Sequence, residues 1–350
     1  MLTSSNKQEE QSTITCKPFS DGTNKYFKNN LLHNEDGPAV VNGDGTREWW
    51  VNGKRHREND LPAKEQANGT KSWWVNGLKH RENDLPAVEK ANGTREWWVN
   101  GKRHRDNDKP AIETSNGHKE WHKNGLRHRE NDLPAVEKVS GAREWWVNGK
   151  LHRDNDLPAS EWCNGNKEWY KNGLLHRDND QFAVEFWDGT KIWYINGLRH
   201  RDNDKPAIEE ANGTKKWCIN DELHRDNDKP AIEYPDGSKV WYQNGTLHRD
   251  NDLPVKEWAD GTKEWYKNNR MHRENGPAIE RVNGNNEWFI YGIRMNKIII
   301  KLFKKRAHNH KLRKLLKLRK NELFWQWYFH PDNIGGKLAH KQIKEFFEKL

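Results

Sequence analysis

Along most of the chain, apolar residues come in short bursts separated by polar turn residues, and the bursts keep a fixed spacing. Trp stands at 49, 73, 97, 121, 145, 169, 193, 217, 241, 265 and 288, with Tyr26 in the equivalent first place. His stands at 33, 56, 80, 104, 128, 152, 176, 200, 224, 248 and 272; the first step is 23 residues and the next nine are 24. A period of this length marks a tandem-repeat architecture. One repeat reads Gly93-Thr94-Arg95-Glu96-Trp97-Trp98-Val99-Asn100-Gly101-Lys102-Arg103-His104-Arg105-Asp106-Asn107-Asp108-Lys109-Pro110-Ala111-Ile112-Glu113. Asn100-Gly101 follows an aromatic, β-branched run and predicts a type I′ hairpin turn, because both residues tolerate positive φ. Asn92-Gly93, with Asp188-Gly189 and Asp236-Gly237 as variants, predicts a second turn. Pro110 lacks a backbone donor and belongs at an edge or loop. Each repeat thus supplies a strand around Trp97, a return through His104, a bend, and a strand from Ala111. No helical periodicity is visible before residue 296.

The predicted fold class is mainly β: an elongated antiparallel β-meander of about twelve repeats, with a small basic α-helical C-terminal segment. At two to three strands per repeat and ~4.8 Å per strand, the array would be roughly 110–170 Å long. Three regions are expected: a disordered polar tail over 1–18, the array over 19–295, and the basic segment over 296–350. Asn-Gly turns are expected at 52–53, 76–77, 100–101, 124–125, 148–149, 172–173, 196–197 and 244–245. Asn220-Asp221 and Asn268-Asn269 replace Gly and are expected to be looser. The competing fold is a parallel β-solenoid with one coil per repeat, in which neighbouring repeats would pair parallel.

Strand alternation places Trp97 with Arg95 and Val99 on one face, and Glu96 with Trp98 on the other. The first Trp occupies every full repeat and is the expected core residue. The position after it varies, which suggests a half-exposed face: Trp50, Trp74, Trp98, Trp146, Tyr170, Tyr194, Tyr242 and Tyr266 are the candidate partner-binding aromatics. The terminal repeats, at His33-Asn34-Glu35-Asp36-Gly37-Pro38 and His272-Arg273-Glu274-Asn275-Gly276-Pro277, are one residue shorter, as capping copies would be.

Composition changes the picture in one respect. Only 32% of the 350 residues are hydrophobic and the mean hydropathy is −1.26, which excludes a thick apolar core. The 20 Trp nevertheless supply large apolar area at regular intervals, as a thin array packed between neighbours requires. Cys16, Cys163 and Cys218 show no paired spacing, so neither a disulfide framework nor a zinc site is expected. No signal-peptide pattern follows Met1 and no apolar run approaches the ~20 residues of a membrane span. An intracellular, cytoplasmic protein, not secreted, is the expectation.

The segment Trp97-Trp98-Val99-Asn100-Gly101-Lys102-Arg103-His104, preceded by an Asn/Asp-Gly-Thr turn, resembles the core of the MORN repeat. The resemblance covers residues 19 to 295. It implies an extended array of hairpins acting as a scaffold or binding module. Arg or Asn follows His where MORN repeats carry Gly, and an Asp-x-Pro-Ala bend is added. The chain is therefore most similar to the variant found in bacterial and giant-DNA-virus proteins, which would place it in a host cell if it is viral.

The recurring His, Asp and Glu could be read as chemistry. Asp106-Asn107-Asp108 has part of a calcium-loop pattern, yet lacks its Gly and closing Glu. The structural reading is that Asp108 bonds backbone amides at the bend. His104 recurs in identical surroundings, whereas catalysis needs one assembled constellation. Its expected role is packing beside Trp97, with a ring nitrogen on a strand carbonyl. The Glu two positions after Ala, from Glu65, Glu89, Glu113 and Glu137 onward to Glu280, is expected to pair across strands with Arg or Lys. No catalytic motif is present. No catalytic, cofactor or metal residues, no cofactor and no small-molecule substrate are expected.

Charge is concentrated at the end. Residues 297–350 hold 15 Lys/Arg against 4 Asp/Glu, net +11, so residues 1–296 sum to −2 within the chain total of +9. A helix is predicted there with Leu312, Leu315 and Leu316 on one stripe, and a second after Gly335-Gly336 with Ile343, Phe346, Phe347 and Leu350 at helical spacing. Lys304, Lys305, Arg306, Lys311, Arg313, Lys314, Lys317, Arg319 and Lys320 are the candidate contacts to an anionic partner. Two functional readings follow. The first is a non-enzymatic repeat scaffold or protein-binding module. The second is a nucleic-acid- or anionic-membrane-associated protein anchored by this basic segment.

Overall fold

The computed structural model describes residues 13–294 apart from Asn275. The chain divides into two units, Met1–Leu175 and His176–Leu350, built to one plan. Among the described residues all regular structure is β-strand. In the first unit Val88–Glu89 pairs with Arg95–Glu96, which pairs with Ile112–Glu113, which pairs with Lys119–Glu120, antiparallel at every step. Trp98–Val99 and Lys102–Arg103 form a separate two-stranded hairpin beside this ladder. The second unit repeats the pattern: Val184–Glu185, Lys191–Ile192 and Ile208–Glu209 make ladder strands, and Tyr194–Ile195 pairs with Leu198–Arg199 at the side. Sequential antiparallel pairing is a meander of hairpins and excludes the parallel solenoid.

Turn chemistry explains this plan. Asn100 and Gly101 have φ of 48° and 77°, and the other seven predicted Asn-Gly pairs share this left-handed geometry. Asn220-Asp221 (50°, 72°) and Asn268-Asn269 (52°, 59°) adopt it too and close equivalent hairpins, so they are not the looser turns expected. Asn and Asp are the non-glycine residues most tolerant of this region, and the Asp221 carboxylate also accepts hydrogen bonds from the Arg199 backbone N–H and guanidinium. The second turn is a three-residue loop: Lys90 N–H donates to Thr94 O at 2.9 Å, and Gly93 takes the left-handed position with φ 82°. The bend predicted before Pro110 is a third tight turn. Within the Asp-Asn-Asp bend, Asn107 and Asp108 both have positive φ, and Lys109 N–H donates to Asp106 O at 3.3 Å.

Register separates two rows of ladder residues. In one, Glu113 lies opposite Arg95 and Lys119, and Glu209 lies opposite Lys191 and Lys215. This is the predicted alternation of acid and base; Arg47 and Glu65, for example, are in ion-pair contact. The other row faces inward, with Val88, Ile112 and Val136 buried. Beside it Ala87, Ala111, Ala135 and Ala159 are completely buried, as are Ala183, Ala207 and Ala231 in the second unit. The core Trp is confirmed at nine places, from Trp73 to Trp265.

The expected division of faces fails at Trp97. Glu96 and Trp97 are both buried, although they are adjacent, and Arg95 is exposed. Trp97 lies between the ladder strand and the side hairpin, and its N–H donates to Ala111 O at 2.8 Å. The chain turns there, so a period of two cannot run through it. Glu96 and Trp98 do share a side: the indole Nε1 donates to Glu96 Oε2 at 3.0 Å.

At the N-terminus, Thr15–Pro18 is a strand paired with Asn24–Lys28, so the first hairpin begins inside the segment expected to be a disordered tail. Residues 1–12 of that tail lie outside the described residues, as do the two predicted helices, the nine basic side chains from Lys304 to Lys320, and the rest of the C-terminal segment.

Candidate interaction surface

The recurring polar residues hold successive repeats together. Arg105, directly after His104, is the organising side chain. Its guanidinium lies 3.7 Å over the Trp97 ring. Nε and Nη2 donate to the two carboxylate oxygens of Asp84 in the preceding repeat, at 2.7 and 3.2 Å. Nη1 donates to Pro110 O and Glu113 Oε1 of its own repeat. Arg81, Arg129 and Arg153, and Arg201, Arg225 and Arg249 in the second unit, make the same set of contacts. The planar fork reaches two repeats at once, which an ammonium cannot copy. Sequence reasoning noted this Arg only as a departure from MORN; its place directly behind ten of the eleven repeat His was the available signal.

The bend carbonyl completes the clamp: Trp97 Nε1 donates to Asp84 O at 3.0 Å, and Trp121 Nε1 to Asp108 O at 3.0 Å. Asp108 therefore does not spend its carboxylate on backbone amides as expected, because Arg129 takes both oxygens. Nor does a ring nitrogen of His104 bond a strand carbonyl. Its Nδ1 accepts the Asn124 N–H of the next side hairpin at 3.2 Å, and its Nε2 contacts Asp106 at 3.0 Å. With Nδ1 accepting, the proton sits on Nε2 and is donated to the carboxylate. The calcium-like Asp106 and Asp108 are thus engaged by His104 and Arg129. Among the described residues, no group of three or more His, Cys, Asp or Glu could hold a metal ion.

The candidate aromatics Trp50, Trp74, Trp98, Trp146, Tyr170, Tyr194, Tyr242 and Tyr266 all occur on side hairpins and are half-buried, and so form a recurring row within each unit. Their faces are partly covered by cations: Lys79 and Arg103 lie over Trp98, and Arg55 over both Trp50 and Trp74. Trp146→Phe keeps an aromatic ring at this half-buried place and gives up only the Nε1 bond to Glu144 at 2.9 Å, so it should cost little stability. Matched thermal melts of the two proteins check this.

Two clefts of one design lie between successive bends of the second unit. In the second unit a cleft of about 230 Å³ is lined by the His176–Gln181 and His200–Asn203 loops with Tyr194 between them. A cleft of about 250 Å³ repeats it at His224–Lys229 and His248–Asn251 with Tyr242.

Clamp electrostatics predict an acid sensitivity. The Arg105 hydrogen bond, aided by Lys109, holds the Asp84 carboxyl down at about 2; Arg201 and Lys205 do the same for Asp180, and Arg225 and Lys229 for Asp204. Asp60, Asp108 and Asp132 are lowered by Arg81, Arg129 and Arg153. A carboxyl depressed in the folded state contributes stability that is present above its unfolded value and lost as pH falls through its folded value. The melting temperature should therefore hold steady down to about pH 4 and fall between about pH 4 and 2. Thermal melts followed by Trp fluorescence across that range test this; a flat profile would mean the clamps contribute nothing.

No family model matches the chain, and no curated protein matches it. No helix among the described residues is long and apolar enough to cross a membrane.

Proposed function

We propose that this chain is a non-enzymatic repeat array, of the variant MORN-like kind, that binds a protein partner along its repeated edges inside the cell. The observation that carries the reading is the recurrence of one set of inter-repeat contacts through both units, with one cleft design appearing twice in the second. The imidazoles and carboxylates that could serve catalysis are engaged in contacts that hold the array together. A surface of identical sites suits an extended polypeptide better than a small substrate, which needs one distinct pocket. Three unpaired cysteines, two of them exposed, fit a reducing compartment.

The alternative is a nucleic-acid or anionic-surface protein anchored by residues 297–320, which carry 11 Lys/Arg and no acid. The test is affinity capture with the full chain after nuclease treatment, followed by titration of the purified partner. Saturable binding that persists after nuclease and at 0.3 M salt (about twice physiological ionic strength) is expected. Binding only to RNA, DNA or anionic vesicles, with a steep loss as salt rises, overturns the protein-binding reading in favour of the anchor.

A further inference from the structure

Repeats of this array differ at one position in a way that reveals a cation-binding place. The residue before the bend proline is Lys in some repeats and Leu in others. Where it is Lys, its ammonium sits on the Asp of the preceding bend: Lys109 on Asp84, Lys205 on Asp180 and Lys229 on Asp204, each at 2.6 Å from Oδ2. That oxygen already accepts the clamp Arg, and with the lysine present the Arg Nη2 bond is 3.2 Å in all three repeats. Where Leu replaces Lys, at 85, 133, 157 and 253, the preceding Asp keeps its Arg at 2.8–3.0 Å. These Asp side chains, Asp60, Asp108, Asp132 and Asp228, are 44–51% exposed, against 39–41% for the lysine-capped ones. The Leu is itself 39% exposed in each case. The lysine-capped repeats show that the oxygen accepts a second cation; the leucine repeats leave that place open beside an apolar side chain.

We propose that the leucine-bearing bends form a docking edge for an extended, lysine- or arginine-bearing polypeptide segment, whose cations occupy on Asp108, Asp132 and Asp60 the place that Lys109 fills on Asp84. The proposal rests on the protein-binding reading above and names its surface and the chemistry of its partner. Charge complementarity selects the partner: the open place accepts a cation and rejects an anion such as a nucleic-acid backbone. Spacing selects its pattern. Each repeat adds two ladder strands, roughly 10 Å, which a segment in polyproline II geometry crosses in about three residues while bringing every third side chain back to the same face. The partner's basic residues then lie about three positions apart for Asp132 and Asp108, and about six further on for Asp60. The place opposite Asp84 is already filled and needs no cation.

The test uses the full chain and a synthetic peptide with three lysines at that spacing, read by fluorescence anisotropy. Its control is a peptide of the same composition with the lysines contiguous. Leu133→Lys with Leu157→Lys copies the arrangement that Lys109 already makes, so the double variant should fold normally, which a thermal melt verifies. Peptide affinity should fall about fivefold to tenfold, the range expected for losing two half-exposed ion pairs. Lys109→Leu opens a fourth place, and a peptide with a lysine added opposite Asp84 should bind it about twofold to fivefold tighter than it binds the parent. Unchanged affinity in both variants, or equal binding of the contiguous-lysine peptide, overturns the proposal. If the purified partner binds the parent and the double variant equally, protein binding stands and this edge is wrong. If no protein partner exists, the earlier reading fails by itself.

Discussion

Replacing Trp145 by Ala should cost about 4 kcal/mol, within the range for deleting a buried Trp. The ring is 4% exposed, carries Arg153 on its face at 3.8 Å, and donates Nε1 to Asp132 O of the preceding bend at 3.0 Å. Its removal opens a cavity, strips the guanidinium of its platform and leaves a bend carbonyl without its donor. Repeats contact only their neighbours, so the damage should stay local. Hydrogen exchange should show lost protection in the repeats flanking residue 145, with repeats several positions away unchanged. Trp146→Ala should cost only about 1 kcal/mol, because that ring is half-buried and Glu144 keeps its ion pair with Lys138. Denaturant melts of the two variants measure the difference. Equal destabilisation would mean that the core is shared between the two aromatics.

Arg129→Ala should be the next most damaging, at about 2 kcal/mol, because the Arg129 side chain is buried against the Trp121 ring and its loss leaves a carbonyl and two carboxylates without their donor, while Asp108, 47% exposed, turns to water. Arg129 lies 3.7 Å over Trp121, holds both oxygens of Asp108 at 2.8 Å, and reaches Pro134 O and Glu137. Arg129→Lys should recover less than half of the loss, because one ammonium cannot span two carboxylates and a carbonyl while stacking on an indole. Melts of the two variants check the order. Full rescue by Lys would reduce the clamp to simple charge attraction. Asp108→Asn should lie between them, since the amide keeps one acceptor oxygen.

The fold was legible because its punctuation is strict. Asn-Gly dictates a type I′ turn, and eleven Trp at fixed spacing fix the repeat, so hairpins, order and pairing direction all follow. The Glu–Arg/Lys ladder was legible too, because cross-strand register is set by those turns. Face assignment at Trp97 was not. Period-two reasoning assumes a continuous strand, and the chain turns there to start a side hairpin. The clamp was illegible for another reason. Arg105 and Asp84 lie 21 residues apart, and nothing local to either marks the other as its partner. In isolation, Asp108 looks like a turn residue and His104 like a packing residue. Only the stacking of one repeat on the next brings Arg129 to the first and the Asn124 amide to the second. The half-exposed aromatic row was correctly placed between core and solvent, but its cover of lysine and arginine depends on neighbouring hairpins.

The clamp has a consequence for how such a chain can change length. From Asp60–Arg81 to Asp132–Arg153, and again from Asp180–Arg201 to Asp228–Arg249, it joins residues 21 apart, and the His-to-amide bond joins residues 20 apart in every interior repeat where it forms. Excising or duplicating one 24-residue period inside either unit hands each severed group an equivalent partner in the same frame. Gene duplication or slippage by 72 nucleotides would therefore yield a shorter or longer protein with its joints intact, whereas a change that is not a whole number of periods would break one. Repeat number becomes a dial that evolution can turn one click at a time, setting the reach of the edge independently of its chemistry.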